Sequence, residues 1–219
     1  DIVGYLTNEG WPSEKVTYLP NFVTEEKMPS LDRKRFYTPE TTPLVLAMGR
    51  LHENKAFDTL LQAVARVPNV YLWIAGEGPL RGELESMAEQ LAVKPRVRFL
   101  GWRNDTPAML ATSDIFVCPS RHEPLGNVVI EAWAQSVPVI AADSLGPGTL
   151  IDHMKTGMLV PVDDAKEMGN SIKYMVDQND FRANIAKAGR AAYEANYTES
   201  MVIERYIKYF EEIVTEDIA

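Results

Sequence analysis

Short apolar runs alternate with amphipathic stretches from residue 43 onwards. Residues 43–49 form a continuous apolar segment that ends in a glycine, and residues 70–76 repeat the pattern. Such runs are typical of strands that are buried on both faces of a sheet. Residues 56–67, which lie between them, place their large apolar side chains on one side of a helix. The pattern therefore predicts a strand, a helix and a second strand in succession.

The alternation continues to residue 161. It predicts further strands over residues 96–100, 114–118, 138–142 and 158–161, and helices over residues 79–91, 105–112 and 126–135. Strands that alternate with helices indicate an α/β protein with a parallel, doubly wound sheet. Ligands of such sheets bind at the carboxyl ends of the strands, so we expect the chemistry in the loops that follow them.

The two flanks lack this regular alternation. Residues 1–23 contain a predicted short strand over residues 15–19, and the charged residues 24–42 are interpreted as a loop or linker. After the sheet, helices are predicted over residues 165–177, 180–195 and 199–215. The last helix has an apolar stripe and no strand follows it, so we expect the stripe to need another surface.

Composition and charge narrow the function. The chain has 219 residues, of which 46% are hydrophobic and 24% charged, as in ordinary globular proteins. Its net charge of −9 argues against a nucleic-acid partner, which would require a basic excess. No apolar stretch approaches the roughly 20 residues of a membrane helix, and the opening residues do not resemble a signal peptide.

The cysteine and histidine content points to a metal-free protein. The single Cys118 fits a reducing cytoplasm, where we expect the protein to act. None of His52, His122 and His153 has a partner at metal-ligand spacing, so we expect no metal.

One charged residue stands out in the predicted helix over residues 126–135. Glu131 is the only charge on a helix that is otherwise apolar, and an unpaired buried carboxylate is costly. It lies four residues after Asn127, on the same face, and so points toward the helix start. There it could accept two hydrogen bonds from a vicinal diol such as a ribose. The alternative is a structural hydrogen bond to a neighbouring loop.

The segment before this helix adds a second acid and an anion site. Glu123, Pro124 and Leu125 lead into Gly126 and Asn127, so free backbone N–H groups face any ligand at the helix start. Glu123 lies just outside, where it can accept hydrogen bonds from sugar hydroxyls.

The loop after the first strand supplies two cations. Arg50 follows Gly49 and can grip a phosphate with its planar guanidinium, and Lys55 can act as a point charge at the next helix start. The alternative is that both are ordinary surface residues. Their position on the same sheet edge as the acidic loop favours a shared site.

Two further loops on this edge contain glycines. Gly76 and Gly78 resemble a phosphate loop, although a tight strand–helix turn explains them equally well. Gly101 and Trp102 follow the third strand, where a nucleotide base could lie against backbone and ring. Simple packing of Trp102 is an equal alternative.

Taken together, these residues resemble the retaining GT-B glycosyltransferases of family 4, also called glycosyl transferases group 1. Glu123 and Glu131 match the Glu-x7-Glu signature of that family, and the resemblance spans about residues 16–215. Gly49, Arg50 and Lys55 match its Gly-Arg…Lys element, and residues 75–79 match Ala-Gly-x-Gly-Pro. The chain departs from the family at Ala56, where glycine is frequent, and at Thr149, where many members have glutamate.

The resemblance implies a C-terminal, Rossmann-like donor domain over residues 43–195 that binds a UDP-, GDP- or ADP-sugar. It implies that Glu131 binds the ribose and Glu123 the sugar. Arg50 and Lys55 would hold the diphosphate without a metal, with Arg50, Lys55 and Glu123 acting in catalysis. The remaining donor contacts would come from Gly49, Gly76, Gly101, Trp102, Leu125, Gly126 and Asn127.

The same resemblance implies that this chain is half of an enzyme. Residues 1–23 would be the tail of an N-terminal acceptor domain, and the helix over residues 196–219 would pack on that domain. The amino-acid sequences of the loops, such as residues 55–58, resemble those of lipopolysaccharide transferases. We therefore expect an envelope glycan as acceptor, and a whole enzyme that is peripheral to the inner face of the membrane. Two alternatives remain: a GT-B nucleotide-sugar epimerase, and a non-catalytic nucleotide-sugar-binding module.

Overall fold

The structure is a computed structural model that describes residues 2–25 and 28–216. Its strands are β1 (Leu44–Met48), β2 (Tyr71–Ala75), β3 (Val97–Gly101), β4 (Ile115–Cys118), β5 (Val139–Ala142) and β6 (Met158–Val160). Its helices are α1 (Ile2–Asn8), α2 (Phe57–Ala65), α3 (Arg81–Gln90), α4 (Thr106–Thr112), α5 (Asn127–Ala134), α6 (Leu145–Leu150), α7 (Ala165–Asp177), α8 (Asn179–Asn196) and α9 (Glu199–Glu216). Short 3₁₀ helices occupy Ser13–Lys15, Arg33–Phe36, Glu53–Lys55 and Lys94–Arg96.

The six strands form one parallel sheet in the order β3-β2-β1-β4-β5-β6. This order confirms the predicted α/β class with a doubly wound, Rossmann-like sheet. The chain first builds outward from β1 to β3 and then crosses to β4 on the other side of β1. The loops after β1 and β4 therefore diverge, and a crevice opens between them at the carboxyl ends of the strands.

Each strand contributes to two separate cores because successive side chains point to opposite faces of a sheet. In β1, Val45 and Ala47 join one core, which α2, α3 and α7 cover. Leu44 and Leu46 join the other, to which α4, α5 and α8 contribute. Burial on both faces explains why β1 has a continuous apolar sequence.

The predicted strand over residues 15–19 is wrong. Lys15 ends a 3₁₀ helix, and residues 16–21 are irregular, although Val16 has extended angles (φ −118°, ψ 109°). A strand needs a neighbour to complete its hydrogen bonds, and these residues pair with no strand in the described part of the chain. The segment is held instead by the Val23 N–H, which donates to the Tyr197 carbonyl at 3.2 Å.

The segment that follows is anchored to the sheet although most of it is irregular, as expected for a loop or linker. The Phe36 ring lies 4.8 Å from the Trp73 ring, and the Trp73 indole N–H donates to the Thr38 hydroxyl at 2.9 Å. Buried Arg33 donates to the carboxylate of Asp114, just before β4, at 3.1 Å. These contacts fix residues 33–38 on the core that α4, α5 and α8 cover.

Two helices lie outside the main alternation: α6, which the sequence pattern did not predict, and α9, which it did. Helix α6 was not predicted, because Gly146, Pro147 and Gly148 are poor helix formers. In α9, Val202 is buried, but Ile207 and Phe210 are 52% and 58% exposed, so the stripe is open in the described residues. No helix within residues 2–25 and 28–216 has the length and apolar character to cross a bilayer.

Candidate functional site

Backbone packing between the loops after β1 and β2 builds the floor of the candidate site. The Gly49 N–H donates to the Ala75 carbonyl at 2.9 Å, and the Leu51 N–H donates to the Glu77 carbonyl at 3.0 Å. A Cβ atom on Gly76 would lie 1.9 Å from the Gly49 oxygen. The glycine is therefore required for two backbones to approach each other, whatever the site binds.

The loop after β3 joins this floor through another backbone contact. The Gly76 N–H donates to the Gly101 carbonyl at 2.8 Å, and Gly101 has a left-handed φ of +71° that favours glycine. The turn leaves Trp102 with 79% of its surface exposed. Trp102 is therefore no core residue, which removes simple packing as its role.

A cleft of about 180 Å³ opens above these three loops. Its lining includes Gly49, Arg50, Gly76, Trp102, Thr106 and Glu131. Five of these six are residues that the sequence selected, and they come from loops or helices far apart in the chain. What they bind stays a prediction, but their meeting in one cleft is an observed property of the fold.

Glu131 reaches the cleft from α5. Its helix neighbours Ile130 and Ala132 are buried, so the helix is anchored firmly against the sheet. No described residue donates a hydrogen bond to the Glu131 carboxylate. Burial raises the pKa of Glu131, and the nearby charge of Glu123 raises it further. The structural hydrogen bond that the sequence allowed is therefore not made within the described residues.

Lys55 and Glu123 form an ion pair beside the cleft. Lys55 ends the 3₁₀ helix Glu53–Lys55, and its side chain lies across Gly49, where a Cβ atom would be 3.4 Å from the Lys55 Cδ. Glu123 is 9% exposed. The next residue after Lys55, Ala56, has left-handed angles (φ 49°, ψ 40°), which explains why glycine is frequent at that position in the family it resembles.

The start of α5 is open toward the same region. Gly126 precedes the helix with a left-handed φ of +72°, and no side chain caps the first turn. The Asn127 side-chain oxygen instead accepts a hydrogen bond from the Asn21 amide at 3.3 Å. The first N–H groups of α5 are thus left to a ligand or to water.

Some of the predicted donor contacts do not line this cleft, namely Lys55, Gly101, Glu123, Leu125, Gly126 and Asn127. Leu125 is 50% exposed and lines a different, largely apolar cleft with Tyr18 and Leu145. Thr149 lies on α6, where its hydroxyl donates to the Leu145 carbonyl at 2.8 Å. The loop after β5 still supports the site, since a Cβ atom on Gly146 would lie 2.6 Å from the Gly126 nitrogen.

The cations at this edge differ in their availability. Arg50 is exposed, and no described residue forms an ion pair or hydrogen bond with its guanidinium. Arg103, which the sequence did not select, lines the cleft but is paired with Asp105. That hydrogen bond and charge hold the pKa of Asp105 below its usual range. Arg50 is therefore the cation most open to a ligand.

Sequence reasoning missed Arg121, which lies two residues before Glu123. Its guanidinium donates to the Glu53 carbonyl and to the Asp58 carboxylate at 2.6 Å each, and it pairs with Asp163 at 2.7 Å. The available signal was positional, because these residues all follow strands of the predicted sheet on the edge that carries the site.

Fold and site together define a doubly wound α/β domain with its acids, cations and open helix start gathered at the switch point of the sheet. The model of the family described as glycosyl transferases group 1 matches residues 30–192. The chain belongs to this family.

Individual relatives are similar along almost the whole chain. The lipopolysaccharide core biosynthesis glycosyltransferase LpsE of Rhizobium meliloti (strain 1021) is 38% identical over 203 residues, which are 93% of this chain and 59% of the relative. LpsD of the same strain is 31% identical over 211 residues, or 96% of this chain and 61% of the relative. The crystal structure of Anabaena Alr3699/HepE in complex with UDP and glucose has a TM-score of 0.86 at 23% identity, covering 96% of this chain and 60% of that one.

The alignments include only part of each relative. The chain spans about three fifths of the length of each of these relatives. The match to HepE, below 25% identity, establishes the GT-B type of fold alone. The rest of the length of such proteins lies outside the sequence compared.

Proposed function

We propose that this chain is the donor-binding half of a retaining glycosyltransferase of family 4. The donor is a nucleotide-diphospho-sugar that carries UDP, GDP or ADP and a hexose. The acceptor domain, on this proposal, lies in residues beyond this sequence, so that the chain alone transfers little sugar. The HepE complex with UDP and glucose supports a nucleotide sugar as the ligand class.

The observation that carries the proposal is the state of Glu131. A partly buried carboxylate with a raised pKa and no hydrogen-bond donor among the described residues is less favourable than one in bulk water, and a ligand that supplies donors would offset that cost. It faces a cleft beside exposed Trp102 and the backbone of Gly76. A ribose diol offers two donors to the carboxylate, while its base can stack beside the indole ring.

The phosphates of the donor would meet the cations and the helix start. Arg50 is free to bind a phosphate with two parallel hydrogen bonds, and Lys55 lies across the adjacent Gly49. The uncapped start of α5 adds backbone donors and the positive end of its dipole. Two cations and a helix start can stabilise the charge that develops on a leaving diphosphate, so we propose that no metal is needed.

Glu123 would take part once the donor is bound. In the structure Glu123 holds Lys55 in an ion pair. A diphosphate would compete for Lys55 and release part of the hydrogen-bonding capacity of the Glu123 carboxylate for sugar hydroxyls. The sugar would then be held by Glu123 on one side and by its phosphate on the other, which fits transfer on a single face with retention.

The acceptor and place of action follow from the relatives. LpsE and LpsD are named as lipopolysaccharide core biosynthesis glycosyltransferases. The alignment with each of them includes more than nine tenths of this chain. We propose a lipopolysaccharide or another envelope glycan as acceptor, and action by the whole enzyme in the cytoplasm at the inner face of the membrane.

Titration calorimetry of the chain with UDP, GDP, ADP and their sugar derivatives, in a chelator, tests donor binding. We expect one nucleotide series to bind without added magnesium and Arg50→Ala to weaken that binding. Absence of binding by all three nucleotides at millimolar concentration would overturn the proposal. Product analysis with the whole enzyme separates transfer from epimerisation, since only an epimerase yields an epimerised sugar.

A further inference from the structure

Arg121 ties together three loops at the carboxyl edge of the sheet. One amine nitrogen of its guanidinium donates to the Glu53 carbonyl at 2.6 Å, and the other donates to Asp58 at 2.6 Å. Its Nε pairs with Asp163, in the loop after β6, at 2.7 Å. Thr59 closes the cluster, because its hydroxyl donates to the same Asp163 oxygen at 3.0 Å. We refer to Arg121, Asp58, Thr59 and Asp163 as the arginine clamp.

The clamp joins the two segments that carry Lys55 and Glu123. Glu53 opens the 3₁₀ turn that ends at Lys55, and Arg121 itself lies two residues before Glu123. A second link runs in parallel, since the His122 N–H donates to the Asn54 carbonyl at 3.3 Å. The backbone segments that carry Lys55 and Glu123 are therefore joined by contacts additional to the ion pair between the two side chains.

Arg121 is not placed to bind a phosphate directly. Two carboxylates, Asp58 and Asp163, neutralise its charge, and all three of its nitrogens have acceptors. The hydrogen bond that Arg121 donates to the Asp58 carboxylate raises the pKa of Arg121 above its ordinary value, so the guanidinium stays charged. Any effect of Arg121 on a ligand must pass through the loops that it holds.

We propose that Arg121 is a positioning residue, which holds Lys55 and Glu123 at the separation that a sugar diphosphate requires. The proposal rests on the proposed donor function of this site. A planar guanidinium with donors at three nitrogens can satisfy three fixed acceptors at once, whereas an ammonium cannot reproduce that fork. Arg121→Lys therefore keeps the charge and removes the geometry.

A double-mutant cycle on UDP, GDP or ADP affinity, whichever the unmodified protein binds, tests the proposal. Calorimetry on the full-length protein should show that Arg121→Lys weakens binding about tenfold, by the geometric argument above. In a Lys55→Met background the same change should weaken binding less than about twofold, because its effect passes through Lys55. Equal losses in both backgrounds, or no loss in either, would overturn the proposal.

Arg190→Lys is the matched control. Arg190 also pairs with two carboxylates, Glu25 and Glu194, and donates to the Ala134 carbonyl at the far end of α5. We expect it to lower the melting temperature while leaving nucleotide affinity within about twofold in both backgrounds, as expected for independent sites. An affinity loss with the pattern of Arg121→Lys would mean that any broken arginine cluster has this effect, and would contradict the proposal.

A milder variant keeps the test informative if Arg121→Lys does not fold. Asp58→Ala removes one acceptor of Arg121 and leaves its bonds to Glu53 and Asp163. It should reproduce the loss in the same direction with the same dependence on Lys55; a full wild-type affinity would count against the clamp. A protein that binds none of the three nucleotides before any substitution contradicts the donor function itself, which is a separate result.

Discussion

Asp114, at the amino ends of the strands, and Glu131 and Arg50, at the carboxyl ends, differ in how far the protein completes their hydrogen bonds. At the amino ends of the strands, the Asp114 carboxylate accepts hydrogen bonds from Arg33 at 3.1 Å and from the Leu44 N–H at 2.8 Å. Arg33 also donates to two backbone carbonyls. At the carboxyl ends, Glu131 and Arg50 have no such partner among the described residues, and no side chain caps α5.

This difference separates stability from binding. A polar group whose hydrogen bonds are complete within the protein contributes to folding and has little left to offer a ligand. A partly buried group without a partner reduces stability until a ligand completes it. Substitution of Asp114 should therefore alter the free energy of unfolding, and substitution of the unpaired groups at the carboxyl ends should also alter affinity.

The largest effect should come from Asp114→Ala. Removing this carboxylate leaves the buried Arg33 guanidinium and the Leu44 N–H each without one acceptor, at a cost of about 3 kcal/mol in unfolding free energy. Urea denaturation checks it. Asp152→Ala, which breaks the exposed pair with Lys155, should cost under about 1 kcal/mol. Equal losses in the two variants would remove the contrast between the sheet ends.

Lys55→Met should lower nucleotide affinity, whereas Asp114→Ala should lower the free energy of unfolding. Losing one charge-assisted hydrogen bond to a phosphate should weaken nucleoside-diphosphate binding by about 2 kcal/mol, or roughly thirtyfold. Calorimetry measures the affinity, and thermal melting measures the stability. Lys94→Met, which breaks an exposed pair with Glu89, is the control of equal charge and should leave affinity unchanged. A normal affinity for Lys55→Met would remove Lys55 from the proposed site.

Glu131→Gln should change how pH affects the protein. Because burial raises the pKa of Glu131 in the folded state, folding favours its protonated form. The ionised form therefore costs stability above that pKa, and the cost disappears as the pH falls through it. Glu131→Gln should raise the melting temperature at neutral pH, and this gain should vanish on acidification.

Nucleotide affinity should also depend on the protonation of Glu131. A ribose diol donates to the ionised carboxylate, so affinity should fall as Glu131 becomes protonated, at a higher pH than for an ordinary glutamate. In Glu131→Gln the affinity should be about tenfold lower at neutral pH, about 1.4 kcal/mol, and no longer follow that titration. Calorimetry from neutral to acid pH measures this, with exposed Glu83→Gln as control. An unchanged pH profile would contradict the ribose role.

The smallest effect should be that of Ala56→Gly. Glycine relieves the left-handed conformation of Ala56 but loses one buried methyl group and gains unfolded-chain entropy, so the net change should stay within about 0.5 kcal/mol. Ala63→Gly, in the interior of α2, has no strain to relieve and should cost about 1 to 2 kcal/mol. Equal losses in thermal denaturation would show that the backbone at Ala56 is not strained.

The sequence predicted the sheet because buried parallel strands have a distinct pattern. The apolar run before Gly49 and the turns at Gly76 and Gly101 marked strand ends, and strand ends on one edge must converge. The meeting of Arg50 and Glu131 in one cleft followed from that geometry. Periodicity is thus informative wherever an element lies on the sheet.

Features that depend on contacts between distant segments could not be read in this way. Residues 15–19 have the composition of a strand, but whether a strand forms depends on a free neighbour. Helix α6 contains Gly146 and Pro147, which are poor helix formers, and Gly146 lies close to the backbone of Gly126. The three acceptors of Arg121 come from the 3₁₀ turn after β1, from the first turn of α2 and from the loop after β6, and no local pattern joins them.

The position of Trp102 makes the cleft visible to fluorescence. Of the four tryptophans, Trp73 and Trp133 are fully buried, whereas Trp11 is 58% exposed and Trp102 79% exposed. With Trp11 replaced by phenylalanine, Trp102 is the sole water-exposed indole, and it borders the cleft that contains Glu131. Long-wavelength emission and its quenching by iodide then report directly on whether that cleft is occupied, so ligand titrations need no label.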